Sequence, residues 1–239
     1  MPGNIKSPVR MGLCSAAFYA GSALAALPLL VGLLRRSRAE QVANLFLHRQ
    51  MEMLKWCAIS CEINGLHHIP AGPVLFAAQH ESTWETLHFT RILGNPAMFA
   101  KSELFRLPLI GWVARRMGHI PLARNGSLDG IRDSLRQGAD QARQGRSLLI
   151  FPSGSRRATG KIHAGVGVLY QLAGLSVVPV RLSSGHCWPA RGWPLRPGVI
   201  RVDICAPIPA GLPRDQMLAL LKSTLADGQE TPPAPRPSR

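Results

Sequence analysis

Acidic side chains are scarce in this 239-residue sequence: 13 Asp and Glu stand against 28 Lys and Arg, a formal charge of +15 at pH 7. That balance directs attention to anionic partners, whether nucleic acid, an anionic membrane face or acidic substrates. Charge of either sign is sparse at 17%, while 46% of residues are hydrophobic. A disordered, charge-solvated chain is therefore excluded, and one domain of ordinary size can bury a full core. Cysteine is also limited to five residues, Cys14, Cys57, Cys61, Cys187 and Cys205. The odd number argues against a disulfide framework and favours a reducing, cytoplasmic setting for most of the chain. Cys57 and Cys61 stand four apart in an apolar stretch, with neither a CxxC nor a matching His pair to complete a zinc site.

Several catalytic motifs are missing too. His80-Glu81 opens like a zincin helix, but Trp84 stands where HExxH needs its second histidine. Gly154 to Lys161 ends in GK, yet its glycines are too far apart for a phosphate loop, and Ile162 replaces the hydroxyl that would hold magnesium. No GxSxG elbow is present to house a serine nucleophile. The basic residues are scattered and accompany no recognised nucleic-acid motif, so charge alone supports that class. No internal repeat is visible.

What is present begins with Met11 to Leu34, 24 residues without a charge. As a helix the run would extend roughly 36 Å, enough to cross a bilayer core of about 30 Å with some tilt. Arg35, Arg36 and Arg38 follow at once; a cleaved leader would be shorter, and these cations favour a cytoplasmic carboxyl side. The expectation is a membrane anchor over residues 1–36, spanning or re-entrant. From residue 37 to 64 the pattern is amphipathic: Val42, Leu45, Phe46, Met53, Leu54 and Trp56 fall near helical spacing, with Arg49, Glu52 and Lys55 among them. Such a helix either packs on the following domain or lies among lipid headgroups with its cations outward.

Residues 65–226 alternate short apolar runs with helical patterns. Pro73–Ala78, Ala97–Ala100, Ser147–Phe151, Ser176–Leu182 and Gly198–Cys205 read as strands. Thr83–Leu93, Leu109–Met117, Leu128–Gln144, Val166–Ala173 and Pro213–Leu225 read as helices. The alternation implies an α/β domain with a mixed, mostly parallel central sheet flanked by helices. Residues 227–239, rich in proline and small or basic residues, read as a disordered tail.

Polar residues cluster just beyond these strands. In Ala77-Ala-Gln-His-Glu-Ser-Thr-Trp-Glu85, His80 follows a strand and Glu85 falls in the first turn of the next helix. A histidine titrates near neutrality and suits proton abstraction, and a carboxylate one turn away can fix its tautomer. Ser82-x-x-Glu85 is equally a capping box, which would explain Glu85 without chemistry.

The neighbouring blocks extend the pattern. Lys101-Ser-Glu-Leu leads to Pro108, Gly111 and Trp112, and then to Gly118-His-Ile-Pro-Leu-Ala-Arg124. A third block reads Phe151-Pro-Ser-Gly-Ser-Arg156, and a fourth is the proline-containing strand Val177-Val-Pro-Val180. Four blocks in this order, from about Gly65 to Pro209, resemble the glycerolipid acyltransferase family.

The resemblance implies that His80 is the general base, with Glu85 orienting it. Lys101, Arg124, Ser153, Gly154, Ser155 and Arg156 become the candidate substrate-binding residues, with Arg124 and Arg156 on an anionic head group. The acyl donor would be acyl-CoA or acyl-carrier protein and the acceptor a lysophospholipid, first of all 1-acyl-sn-glycerol-3-phosphate, for phospholipid biosynthesis. No metal or other cofactor is required by this chemistry. Anionic membrane lipids become expected partners, nucleic acid does not, and the setting becomes the cytoplasmic membrane with the catalytic domain facing the cytoplasm. Three positions depart from the family pattern: Glu85 replaces an aspartate, Ser153 a glutamate, and Ala123 an aspartate often found before the arginine. They open the alternative of another acceptor, such as a lyso-ornithine lipid. Outside the class, the alternative is a non-catalytic basic protein binding membrane or nucleic acid.

Overall fold

A computed structural model describes residues 8–34, 39–123, 128–156 and 161–226. Two helices open the chain, α1 (Pro8–Leu34) and α2 (Ala39–Trp56). Seven strands follow with the remaining helices between them: β1 (Ile59–Asn64), β2 (Leu75–Ala78), α3 (Trp84–Ile92), β3 (Ala97–Lys101) and α4 (Pro108–Arg116). Then come β4 (Ile120–Leu122), α5 (Leu128–Arg143), β5 (Leu148–Ile150), α6 (Gly165–Ala173), β6 (Val177–Leu182), β7 (Gly198–Ile204) and α7 (Arg214–Ala226).

The strands form one sheet in the order β1-β7-β6-β2-β5-β3-β4. Every neighbouring pair is parallel except β6 with β7. The mixed, mostly parallel sheet expected from the sequence is therefore present. Its central strand, β2, is buried at all four residues, as a strand covered on both faces must be. Side chains alternate across it: Leu75 and Ala77 face a core completed by Leu135, Leu169, Met217 and Leu221 from α5, α6 and α7. Phe76 and Ala78 face the other, where Phe18 of α1, Leu54 of α2, and Trp84 and Phe89 of α3 pack.

Two strands depart from the sequence reading. The amphipathic stretch expected over residues 37–64 divides, because Ala58 takes a left-handed φ of 53° and ends the helical path. The chain then enters β1, which pairs with β7 from Ile59↔Gly198 to Asn64↔Asp203. The short edge strand β4 contains Pro121, tolerable where one side of the ladder is open.

The expected membrane-crossing helix is corrected. Among the described residues, no helix is long and apolar enough to cross a membrane. α1 instead commits one face to the protein: Ser15, Phe18 and Ser22 are buried. Ser15 Oγ accepts the Leu195 N–H at 2.9 Å, the Tyr19 hydroxyl donates to the Gly192 carbonyl, and Phe18 meets Trp188 edge-on at 5.3 Å. The Pro-rich tail lies outside the described residues.

Candidate active site

Five parallel strands, β2 to β6, end on one edge of the sheet. Their carboxyl ends deliver His80 after β2, Lys101 at the end of β3, Phe151 after β5 and Ser184 after β6. Such an edge is where open α/β sheets place their ligands. Arg124, which follows β4, lies outside the described residues.

His80 and Glu85 meet as expected. His80 Nδ1 stands 2.8 Å from Glu85 Oε1, with the histidine 13% exposed and the glutamate fully buried. Since the carboxylate accepts, Nδ1 carries the proton and Nε2 keeps its lone pair for a substrate. The same Oε1 accepts the backbone N–H groups of Glu81 and Ser82, each at 2.7 Å. Glu85 thus serves as helix cap and histidine partner together. Its second oxygen receives the hydroxyls of Ser82 at 2.7 Å and Ser184 at 2.8 Å. Burial alone would raise this carboxyl's pKa, but the hydrogen bonds and charge of His80 and the Ser82 donors hold it below the ordinary value.

The third block forms a turn after β5. The Gly154 N–H donates to the Phe151 carbonyl at 3.0 Å with φ at 65°, a left-handed conformation that favours glycine. Phe151 stacks on the His80 ring at 4.3 Å. The Ser153 hydroxyl donates to the Ser155 carbonyl at 2.9 Å, so it shapes the turn. Arg156 donates to the Ala190 carbonyl at 3.0 Å. Lys101 is exposed, and no contact brings it to the dyad. Block two is architectural at Gly111, where a Cβ would fall 2.1 Å from the Phe105 carbonyl oxygen.

Residues 188–193 were absent from the expected site, yet they share a cleft with its Arg156. With Tyr19, Thr83 and Arg156, the residues Trp188, Arg191 and Trp193 line a cleft of about 390 Å³. Its wall combines aromatic surface with two guanidinium groups, a composition suited to an amphiphile with an anionic head. Glu81, also unassigned by the sequence reading, accepts the Gly185 N–H at 2.8 Å. Burial raises its pKa, opposed by the Gly185 N–H and reinforced by the Glu85 charge. No cluster of metal-ligating side chains occurs among the described residues.

A family model described as Acyltransferase matches residues 60–183. The chain is 33% identical over 149 residues to a 1-acyl-sn-glycerol-3-phosphate acyltransferase of Pseudomonas aeruginosa, covering 61% of this chain and 58% of that protein. A lyso-ornithine lipid O-acyltransferase of the same organism is 32% identical over 129 residues, 53% of this chain and 49% of that protein. The chain thus spans about half the length of the curated relatives it matches. Among solved structures, the 1-acyl-sn-glycerophosphate acyltransferase PlsC of Thermotoga maritima superposes with a TM-score of 0.71 at 19% identity, over 94% of this chain and 99% of that one. At that identity the likeness concerns the fold.

Proposed function

This chain belongs to the acyltransferase family, and we propose that it moves a fatty acyl group from an acyl-CoA or acyl-carrier-protein thioester to the hydroxyl of a lysophospholipid. The observation that carries the reading is the His80–Glu85 pair at 2.8 Å, beside the turn that begins at Phe151. His80 Nε2 takes the proton as the acceptor oxygen attacks the thioester carbonyl carbon. The tetrahedral adduct expels the thiolate by C–S cleavage, and the imidazolium returns its proton to that sulfur. The products are an ester and a free thiol, without a covalent acyl-enzyme. General-base help of this kind contributes about 10²–10⁴-fold.

The first acceptor is 1-acyl-sn-glycerol-3-phosphate, its phosphate near Arg156 and Arg191 and its chain along Tyr19 and Trp193. A lyso-ornithine lipid is the second reading, favoured by the named relative of that activity and by Ser153 in the third block. The protein works on the cytoplasmic membrane with its catalytic domain facing the cytoplasm. α1 and α2 lie at the surface of that membrane, where Leu13, Leu24, Leu45 and Trp56 are exposed and anionic lipids attract the net positive charge. The decisive experiment incubates purified protein with labelled acyl-CoA or acyl-carrier protein and a panel of lyso-lipids. Labelled diacyl product from the unmodified protein, absent with His80→Ala, supports the reading; no product with any acceptor overturns it.

A further inference from the structure

Ser184 lies outside all four sequence blocks and is fully buried. Its Oγ stands 2.8 Å from Glu85 Oε2, across 99 residues of sequence, and 2.9 Å from Ser82 Oγ. Ser82 Oγ already accepts the Trp84 N–H at 3.0 Å. Each hydroxyl has one proton to give, so both hydroxyls donating to Oε2 satisfies every group in the cluster. The other carboxylate oxygen is occupied by His80 and two backbone N–H groups. With Oε2 pinned from two sides, the carboxylate cannot rotate, and Oε1 stays aimed at the imidazole.

We propose that Ser184 is a positioning residue of the dyad: its hydroxyl fixes the rotamer of Glu85 and draws off part of its charge. It does so from the segment that walls the substrate cleft. The next residue, Gly185, ties that segment to Glu81 at 2.8 Å, and Trp188 and Arg191 further along line the cleft. The inference rests on the acyl-transfer reading.

Ser184→Ala tests it. Turnover should fall about tenfold while the KM values for acyl donor and acceptor stay within about twofold, as for a lost hydrogen bond to a charged group. The acid limb of kcat/KM should move to higher pH, because a carboxylate with one hydrogen-bond donor fewer holds the imidazolium more tightly. Ser184→Thr, which keeps the hydroxyl, should restore both. In a Glu85→Gln background, Ser184→Ala should cost no further turnover, since the charge it acts on is gone. Unchanged kinetics, an unmoved acid limb, or the same tenfold loss in both backgrounds would each overturn the proposal. NMR titration of the His80 ring reads the same upward shift without turnover. If the unmodified protein acylates nothing, that titration still decides the role of Ser184 separately from the function.

Discussion

The imidazole of His80 lies on the ring of Phe151, centroids 4.3 Å apart and planes inclined by 23°. One residue opens the first sequence block and the other opens the third, so the stack joins the imidazole to the turn carrying Arg156. Glu85 restrains the ring only through Nδ1, and Phe151 supplies the surface that stops it tilting about that bond. Phe151→Leu keeps an apolar side chain there but removes the flat face. Turnover should fall by roughly tenfold with a Tm within a few degrees of the unmodified protein. Phe151→Ala should also destabilise, by about 3–5 kcal/mol for a buried aromatic, measurable by urea unfolding. Full activity in the leucine variant would remove the stack from the mechanism.

One fully buried histidine and one partly buried give the fold an acid weakness apart from catalysis. Burial, reinforced by the charge of Arg91 and opposed by Glu85, lowers His88 to about 3. Burial and the charge of Arg146 lower His119 to about 4. In the unfolded chain both titrate near 6.5, so between that pH and the folded values the unfolded state binds more protons. Stability must therefore fall as pH drops from 6.5, by up to about 1.4 kcal/mol per pH unit for each histidine. His119 Nδ1 accepts the Met98 N–H at 3.3 Å, a bond an asparagine amide oxygen can take over. His119→Asn should lose less stability between pH 6.5 and 4 than the unmodified protein, whatever its stability at pH 7. Parallel curves would show that His119 is not the titrating group.

Much of this fold was legible in the sequence because the parallel strands are short, apolar and separated by helical patterns. β1 was hidden: Ile59–Asn64 alternates weakly, and only its pairing with β7, 139 residues away at Asn64↔Asp203, makes it a strand. α1 misled through composition. Its uncharged run of 24 residues reads as a span, yet no described helix is long and apolar enough for one, and burial of Ser15, Phe18 and Ser22 is a tertiary event that no local window contains. At the site, His80 and Glu85 were readable because they share one turn. Ser184 was not, since a serine after a strand is commonplace and its partner lies in another block. Arg156 lines the cleft and also donates to the Ala190 carbonyl, so facing the cleft and holding its wall fall to one side chain.

That double task separates two arginine variants. Arg191→Ala removes an exposed cation at the cleft and should raise the acceptor's KM by about 10-fold or more, leaving the acyl donor's KM and the Tm unchanged. Arg156→Ala should raise the acceptor's KM similarly and also lower the Tm slightly, because the Ala190 carbonyl loses its donor. Equal losses for acyl donor and acceptor would assign these cations to the donor's phosphates. A nucleic-acid-binding protein would behave differently, shifting DNA or RNA at low salt with His80→Ala harmless.

Surface attachment without a span predicts a particular response to washing. Vesicles containing anionic lipid should retain the protein in moderate salt, and alkaline carbonate should release it, at least in part. On the proposed attachment, Trp56, 80% exposed at the end of α2, is the interfacial anchor. Trp56→Ala should weaken vesicle binding several-fold, by the apolar area of one aromatic ring, with no change in Tm. Protein that resists both washes would require a deeper insertion, and unchanged binding in the variant would move the contact to another face.

Glu85→Gln distinguishes a helix cap from a catalytic carboxylate, since Glu85 makes contacts that suit either role. Glutamine can keep its oxygen toward His80 and the Glu81 and Ser82 N–H groups, and its amide can donate to the Ser82 and Ser184 hydroxyls once these turn about. The cap therefore survives, and at neutral pH the stability cost should be small, about 1–3 kcal/mol for charge-assisted bonds made neutral. Catalysis has no such substitute, because the imidazolium formed as His80 takes the proton needs a negative charge beside it. Turnover should fall on the order of 10²-fold or more, while Glu85→Asp keeps a shorter carboxylate and retains part of it. Acid supplies an independent check. The folded pKa of Glu85 lies below its unfolded value, so its contribution to stability is present above the unfolded pKa and vanishes as pH falls through the folded one. The stability gap between the unmodified protein and Glu85→Gln should accordingly be constant near neutrality and close on acidification below about pH 4.3. A variant that turns over at the unmodified rate would leave Glu85 as a cap alone, and His80 without the charge its role requires.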